Sequence, residues 1–280
     1  IPRLRDQGYT DDLIHQRRLW VERVAGCELP QISAFAIPGE DMRGNIENPI
    51  GAAQIPLGVA GPLRVRGESD DDVFYVPLAT TEGALVRSYE RGSVALTRSG
   101  GATARVYQDE NRVTPVFWLP TVKDAHEFTT SLVEHFPELR RQAEKTTAHG
   151  KLLRVEPHPV GREVLVTFAF ATGDAQGMNM IVKATERACR WLERNTSTSG
   201  YYIFSGYNSE KRASGSLLAG GKGKQVVAGA VLPKRLVEAF LHTTPARMVD
   251  MWNHTVLGHL KTRALGYNGH YANGLTALFI

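Results

Sequence analysis

The chain has 280 residues, 42% hydrophobic and 22% charged, with a net charge of +4 and a pI near 9.1. That length allows one large domain or two ordinary ones around a substantial core, and no apolar run reaches the ~18 residues that mark a membrane span. The basic residues are scattered among the acids with no nucleic-acid motif, so the charge suits an anionic small substrate better than DNA or RNA.

The first stretch lacks the apolar segment of a secretory signal. Cys27 and Cys189 are too few for a disulfide framework, and the expectation is free, buried thiols in a cytoplasmic protein.

Residues 9–26 space Leu13, Leu19, Trp20 and Val24 at helical intervals, with Thr10 or Asp11 as cap. Residues 46–66 break short apolar runs with proline and glycine, which predicts strands and tight turns. "DDVFYVPLATT" (71–81) reads as a strand, and residues 83–98 as a helix. Glu82 sits at their junction, between two threonines and a glycine. Two readings stay open there: an acid near a Thr80 or Thr81 helix cap, or an acid placed for chemistry. "SGGATARVY" returns to strand from Ser99.

"TPVFWLP" (114–120) predicts a short buried strand, and residues 124–147 are helical through Phe128, Leu132, Phe136, Leu139 and Ala143. Pro137 inside that run predicts two helices, the second starting near it. Residues 151–160 and 163–172 are strands, and "GDAQGMNM" (173–180) turns into a long helix. The order of these elements predicts a ferredoxin-like α+β sandwich over about 113–200. Residues 201–225 are a glycine-rich loop, 226–233 a strand and 234–263 mostly helix. "LGYNGHYANGLTALFI" opens a further apolar helix that reaches Ile280 without a stop signal, so a longer chain is expected.

Three stretches have types that chemistry uses. The turn in "GDAQGMNM" offers helix N-terminal N–H groups to a pyrophosphate, or is a plain helix start; it is not a G-x-G-x-x-G fingerprint. "SGYNSEKRASG" (205–215) gathers Asn208, Glu210, Lys211 and Arg212, as a solvated turn or around a lysine facing an oxyanion. "GYNGHYAN" (266–273) puts His270 and Asn273 at a helix start, in a structural or a catalytic role.

Taken in order, ENPIG (47–51), PLGVAGP (56–62), PLATTEG (77–83), GGATARV (100–106), GDAQGMNM, SEKR (209–212) and GYNGHYAN resemble the catalytic domain of hydroxymethylglutaryl-CoA (HMG-CoA) reductases. The likeness is greatest to the class I form of archaea and eukaryotes and covers about residues 45–280. It implies an α+β fold: an N-terminal helical region (1–45), a large substrate and dimerisation domain (46–112 and 201–280), and an inserted ferredoxin-like small domain (113–200) that binds NADP(H). It further implies NADPH-dependent reduction of an acyl-CoA thioester to an alcohol, HMG-CoA to mevalonate or a related acyl thioester, with NADH left open. The active site would lie at the interface of a homodimer or higher oligomer, with no metal, nucleic acid or membrane.

Residue by residue, the resemblance makes Glu82 the proton-donating acid and Lys211 the cation for the oxyanion. Ser88, Arg91, Ser205, Glu210, Arg212, His270 and Asn273 match substrate-side positions. Asp174, Gln176, Gly177, Met178 and Asn179 match the cofactor turn. Departures cluster on the acyl side: Val113 stands where the family has an arginine, with Arg112 one place earlier, and His254 stands where it has a lysine. The family's catalytic aspartate and histidine would fall beyond Ile280. A catalytically impaired homologue that binds CoA esters or a partner without turnover is the alternative.

Overall fold

The structure is a computed structural model that describes residues 1–3, 8–68, 70–212 and 214–280. In chain order the elements are α1 (Asp11–Ala25), the single turn α2 (Pro30–Ser33), β1 (Leu57–Arg66), β2 (Asp71–Ala79) and α3 (Leu85–Arg98). Then come β3 (Ala102–Val113), β4 (Val116–Trp118), α4 (Val122–Glu144), β5 (Lys151–Val160), β6 (Glu163–Ala171) and α5 (Met178–Asn195). The last are β7 (Gly200–Tyr202), β8 (Gly223–Gly229), α6 (Lys234–Phe240), α7 (Pro245–Thr262) and α8 (Tyr271–Phe279). The fold is mixed α+β. It divides into a first unit (Ile1–Leu63, Phe74–Val94 and His270–Ile280) and a second (Arg64–Val73 and Ala95–Gly269).

In the first unit Thr10 caps α1, its side chain accepting from the Leu13 N–H, and Gly26 ends the helix in the left-handed region at φ 68°. The buried face of α1 is Leu13, Ile14 and Arg17. This corrects the expected stripe, since Leu19 and Val24 are exposed. Arg17 takes their place because its guanidinium donates to the Gly8 and Pro2 carbonyls, which satisfies a charge that burial would otherwise penalise. A small core of Ala60, Leu78, Leu85 and Ala277, flanked by Val76, Val86 and Tyr89, joins β1, β2, α3 and α8.

The second unit contains a β-α-β-β-α-β run, β4-α4-β5-β6-α5-β7. Its strands pair antiparallel in the order β7-β4-β6-β5. The reason lies in β6. Val164, Val166, Phe168 and Phe170 alternate onto one face and are fully buried against Phe128 and Leu132 of α4 and Ile181 and Leu192 of α5. Each such side chain contributes about 1.5–3 kcal/mol of transfer free energy. The other face of β6 carries Thr167 and Ala169, both also buried. Arg112 of β3 and Arg154 of β5 stand opposite Ala169 on either side. The remainder of β3 pairs antiparallel with β8, and Ala102–Thr103 pair parallel with Val65–Arg66.

Two sequence expectations are corrected here. Helix α4 runs unbroken through Pro137. The missing N–H strands the carbonyl of Val133, but that residue is 78% exposed, so water can serve it. Phe128, Leu132, Leu139 and Ala143 bury one stripe on both sides of the proline, and that packing keeps one axis. Cys189 is buried as expected, whereas Cys27 is exposed just past the end of α1.

Candidate active site

In the first unit, β2 ends at Ala79 and the chain turns before α3. The Thr80 N–H donates to the Pro56 carbonyl (3.0 Å), and the Thr80 hydroxyl accepts from the Glu82 N–H (2.9 Å). Thr80 therefore orders the turn itself, and Glu82 lies three residues ahead of α3 rather than in its first turn, contrary to the capping reading. Ala84 adopts φ 67°, a conformation that costs a non-glycine residue roughly 1–2 kcal/mol. Backbone strain is thus stored two residues from Glu82.

The Glu82 carboxylate is exposed and accepts from the Asn273 amide at 3.1 Å on Oε2 and 3.4 Å on Oε1. Ser88, one turn into α3, lies 3.4 Å from His270 Nε2. The Tyr89 hydroxyl donates to the His270 carbonyl (2.8 Å), and the two rings meet edge-on at 4.9 Å. Gly274 makes this possible, because a Cβ there would lie 2.1 Å from the Tyr89 oxygen. Glu82, Ser88, His270 and Asn273 are therefore brought together by α3 and the start of α8. Arg91 is exposed on α3.

In the second unit, the Asp174–Asn179 turn is tied down from behind. Buried Asn111 donates to the Gln176 carbonyl (2.6 Å), and the Thr172 hydroxyl donates to that of Ala175 (2.6 Å). Gly177 begins α5 at φ 64°, and a Cβ there would meet Met180 Cε at 3.0 Å and Thr172 at 3.1 Å. No side chain caps α5, so its first N–H groups have no side-chain acceptor among the described residues. Asp174, Gln176 and Asn179 are exposed, and Met178 is half-buried beside Lys222.

Lys211 is exposed and makes no hydrogen bond or ion pair among the described residues, while the other expected substrate-side residues of its loop are engaged. The Ser205 hydroxyl donates to the Thr114 carbonyl (2.6 Å), and Arg212 donates to the Gly206 and Asn208 carbonyls (3.3 and 3.5 Å). Glu210 pairs with Lys222 at 3.0 Å. Burial pushes the Glu210 carboxyl up, but the Lys222 hydrogen bond, a backbone hydrogen bond and the charges of Lys222 and Lys211 together outweigh it and leave its pKa below the ordinary value.

Sequence reasoning missed the polar face of the β6 sheet. Glu110 is 5% exposed and is held between Arg112 (Nε–Oε1 2.5 Å) and Arg154 (Nη2–Oε1 2.7 Å). Burial raises its pKa, yet the Arg154 and Arg112 hydrogen bonds win and hold it below the usual carboxylate value. Beside it, Thr114, Thr167, His158, Tyr207 and Asn208 form one hydrogen-bonded group. The signal was available: Glu110 and Arg112 alternate along β3 with Thr114 one place past its end, and Arg154, Glu156 and His158 alternate along β5. Val113 is buried in the helix-facing core, and His254 is exposed on α7 with Nδ1 against the Asp250 carbonyl.

The family model for hydroxymethylglutaryl-coenzyme A reductase matches residues 13–280. The chain is 42% identical over 273 residues to the 3-hydroxy-3-methylglutaryl-coenzyme A reductase of Methanothermobacter thermautotrophicus, covering 96% of this chain and 69% of that protein. It is 38% identical over 281 residues to the enzyme of the same name from Aeropyrum pernix, covering 99% and 66%. Among solved structures, the class II reductase of Streptococcus pneumoniae bound to NADPH aligns with a TM-score of 0.61 at 18% identity, over 84% of this chain and 54% of that one. That likeness is one of fold. The chain spans about two thirds of the length of these curated relatives.

Proposed function

We propose an activity from one premise: the chain belongs to the hydroxymethylglutaryl-coenzyme A reductase family. The protein reduces the thioester of HMG-CoA to the alcohol mevalonate in two successive hydride transfers and releases CoA. The names of its relatives support the substrate, and the NADPH in a neighbouring structure supports the cofactor. The observation that carries the reading is the exposed Glu82 carboxylate, held by the Asn273 amide next to the Ser88–His270 contact.

When bound, NADPH supplies the hydride. The residues present fit it: Gly177 leaves room that a Cβ would fill, and the uncapped start of α5 favours the charge of a pyrophosphate. Asp174, Gln176, Met178 and Asn179 complete that turn. Lys211 neutralises the oxygen that becomes anionic as the carbonyl is reduced. Glu82 gives up a proton to the product oxygen, with Asn273 fixing its orientation. Ser88, Arg91, Ser205, Glu210, Arg212 and His270 are read as lining the substrate side.

The same reading makes residues 113–200 a ferredoxin-like cofactor domain set into a large domain of 46–112 and 201–280, with 1–45 as a helical N-terminal region. The 4-1-3-2 order of its antiparallel strands supports this. A homodimer is supported by α7, which exposes Met248, Val249, Met251, Trp252, Leu257 and Leu260. No described helix is long and apolar enough to cross a membrane, and two unpaired cysteines support a reducing, cytoplasmic setting.

The test is oxidation of NADPH by the full-length protein with HMG-CoA and with other acyl-CoA thioesters. Turnover with HMG-CoA and formation of mevalonate are expected. Calorimetric binding of CoA esters with no turnover would overturn the reading in favour of an impaired homologue. Preference for another thioester would trace to Val113, buried where the family pattern has an arginine.

A further inference from the structure

The loop that carries Lys211 is fastened to the polar sheet face by a closed circuit of hydrogen bonds, and proton counting fixes its direction. The Thr114 hydroxyl donates to Asn208 Oδ1 at 3.0 Å. A hydroxyl has one proton, so in its 3.0 Å contact with Thr167 Oγ1 the donor must be Thr167. With that proton committed, the 3.1 Å contact between Thr167 Oγ1 and His158 Nε2 requires the imidazole to donate. Nδ1 is then the acceptor, and it faces the Tyr207 hydroxyl at 3.4 Å. The Tyr207 ring also stacks on His158, centroids 4.6 Å apart and planes 22° from parallel. Tyr207 and Asn208 are neighbours, so the circuit leaves the loop at one residue and returns at the next. Thr114 and Thr167 are 1% and 2% exposed, where no water competes for these bonds.

We propose that His158, as its neutral Nε2–H tautomer, is a positioning residue for Lys211, acting through the circuit of Tyr207, His158, Thr167, Thr114 and Asn208. This rests on the reading of Lys211 as the cation for the oxyanion. Lys211 lies three residues beyond Asn208 in a loop that the Ser205–Thr114 bond and the Glu210–Lys222 pair also hold, and this circuit sets where the middle of the loop leaves the sheet. The charged groups that face His158 are Glu156 on its own strand and Arg112 on β3, with the Tyr207 phenol from the loop. Burial lowers the imidazole pKa, Glu156 opposes this, and Arg112 reinforces it. The ring is therefore neutral at pH 7, and protonation at lower pH turns Nδ1 into a donor and reverses the Tyr207 bond.

Nitrogen-15 NMR of the wild-type protein at pH 7.5 (roughly a unit above an ordinary histidine pKa) reads the tautomer without any variant. An Nε2–H signal is expected, and Nδ1–H overturns the proposal. In the full-length enzyme, His158→Ala and Thr167→Val should lower kcat by about 10- to 100-fold with the KM for NADPH unchanged. His158→Gln, which still donates to Thr167, should recover most of the loss. An acid limb in the kcat profile of the wild type should vanish in His158→Gln. Lys211→Met separates the two claims: full turnover in that variant refutes the role of Lys211 itself. Loss in Lys211→Met with undiminished kcat in His158→Ala refutes only the positioning role.

Discussion

The side-chain amide of Asn273 reaches both oxygens of the Glu82 carboxylate, linking the start of α8 to the turn after β2. An amide donor at that distance fixes the plane in which a proton is offered. Glu82→Gln should lower kcat by about 10²-fold or more, and Asn273→Ala by about tenfold. Both side chains are exposed, so neither change should move the melting temperature by more than a degree or two. Steady-state kinetics alongside thermal unfolding check this; a large fall in melting temperature would make Glu82 structural.

Gly274→Ala tests how α8 is seated. Its Cβ would arrive 2.1 Å from the Tyr89 oxygen, at a buried site with no flexible neighbour to yield. The expected loss is about 1–3 kcal/mol, the usual cost of overpacking. Tyr89→Phe removes only the bond to the His270 carbonyl and should lose about 1 kcal/mol. Chemical denaturation ranks the two.

Glu110 should make stability fall on acidification. Its pKa is depressed in the folded protein by Arg154 and Arg112, so the unfolded chain takes up the proton first. Its stabilisation is complete above the ordinary value of 4.5 and is lost as pH drops through the lower folded pKa. Glu110→Gln should cost about 2–4 kcal/mol at pH 7, because two guanidinium groups lose their shared anion. The gap between wild type and variant should narrow between pH ~5 and pH ~3. Urea midpoints across that range measure it, and a constant gap would contradict the ion-pair account.

Gly177→Ala tests the cofactor turn. The new Cβ must tolerate φ 64° and displace Met180 Cε, a strain of about 1 kcal/mol or more. The KM for NADPH should rise several-fold, with kcat at saturation nearly retained. Titration of NADPH fluorescence gives the affinity directly; unchanged binding would move the cofactor away from this turn.

The sequence made the helix-facing side of the second unit readable, because the 3.6-residue spacing of Phe128, Leu132, Leu139 and Ala143 in α4 marks one buried stripe. It misled at Pro137, where a local rule about the missing N–H lost to a buried stripe that continues on both sides. It misled at Cys27 for a related reason: the tendency of thiols to be buried is an average, and this one follows a helix end. The polar sheet face stayed hidden because β6 itself looks continuously apolar. Its alternation is visible only once β3 and β5 are known to flank it. Glu82 and Lys211 were singled out only through the order of distant blocks, since neither has local features beyond those of an exposed turn.

Ala169 sets a limit on how this protein can drift. The two arginines opposite it converge on Glu110 across a methyl group, so the positions cannot vary one at a time. A larger residue at 169 would force the guanidinium groups apart, and reversing or neutralising Glu110 would leave them repelling each other. Natural variation here should therefore occur in sets: homologues that keep the acid keep both bases and the small residue, while those that lose it replace the whole group with apolar side chains of matching volume.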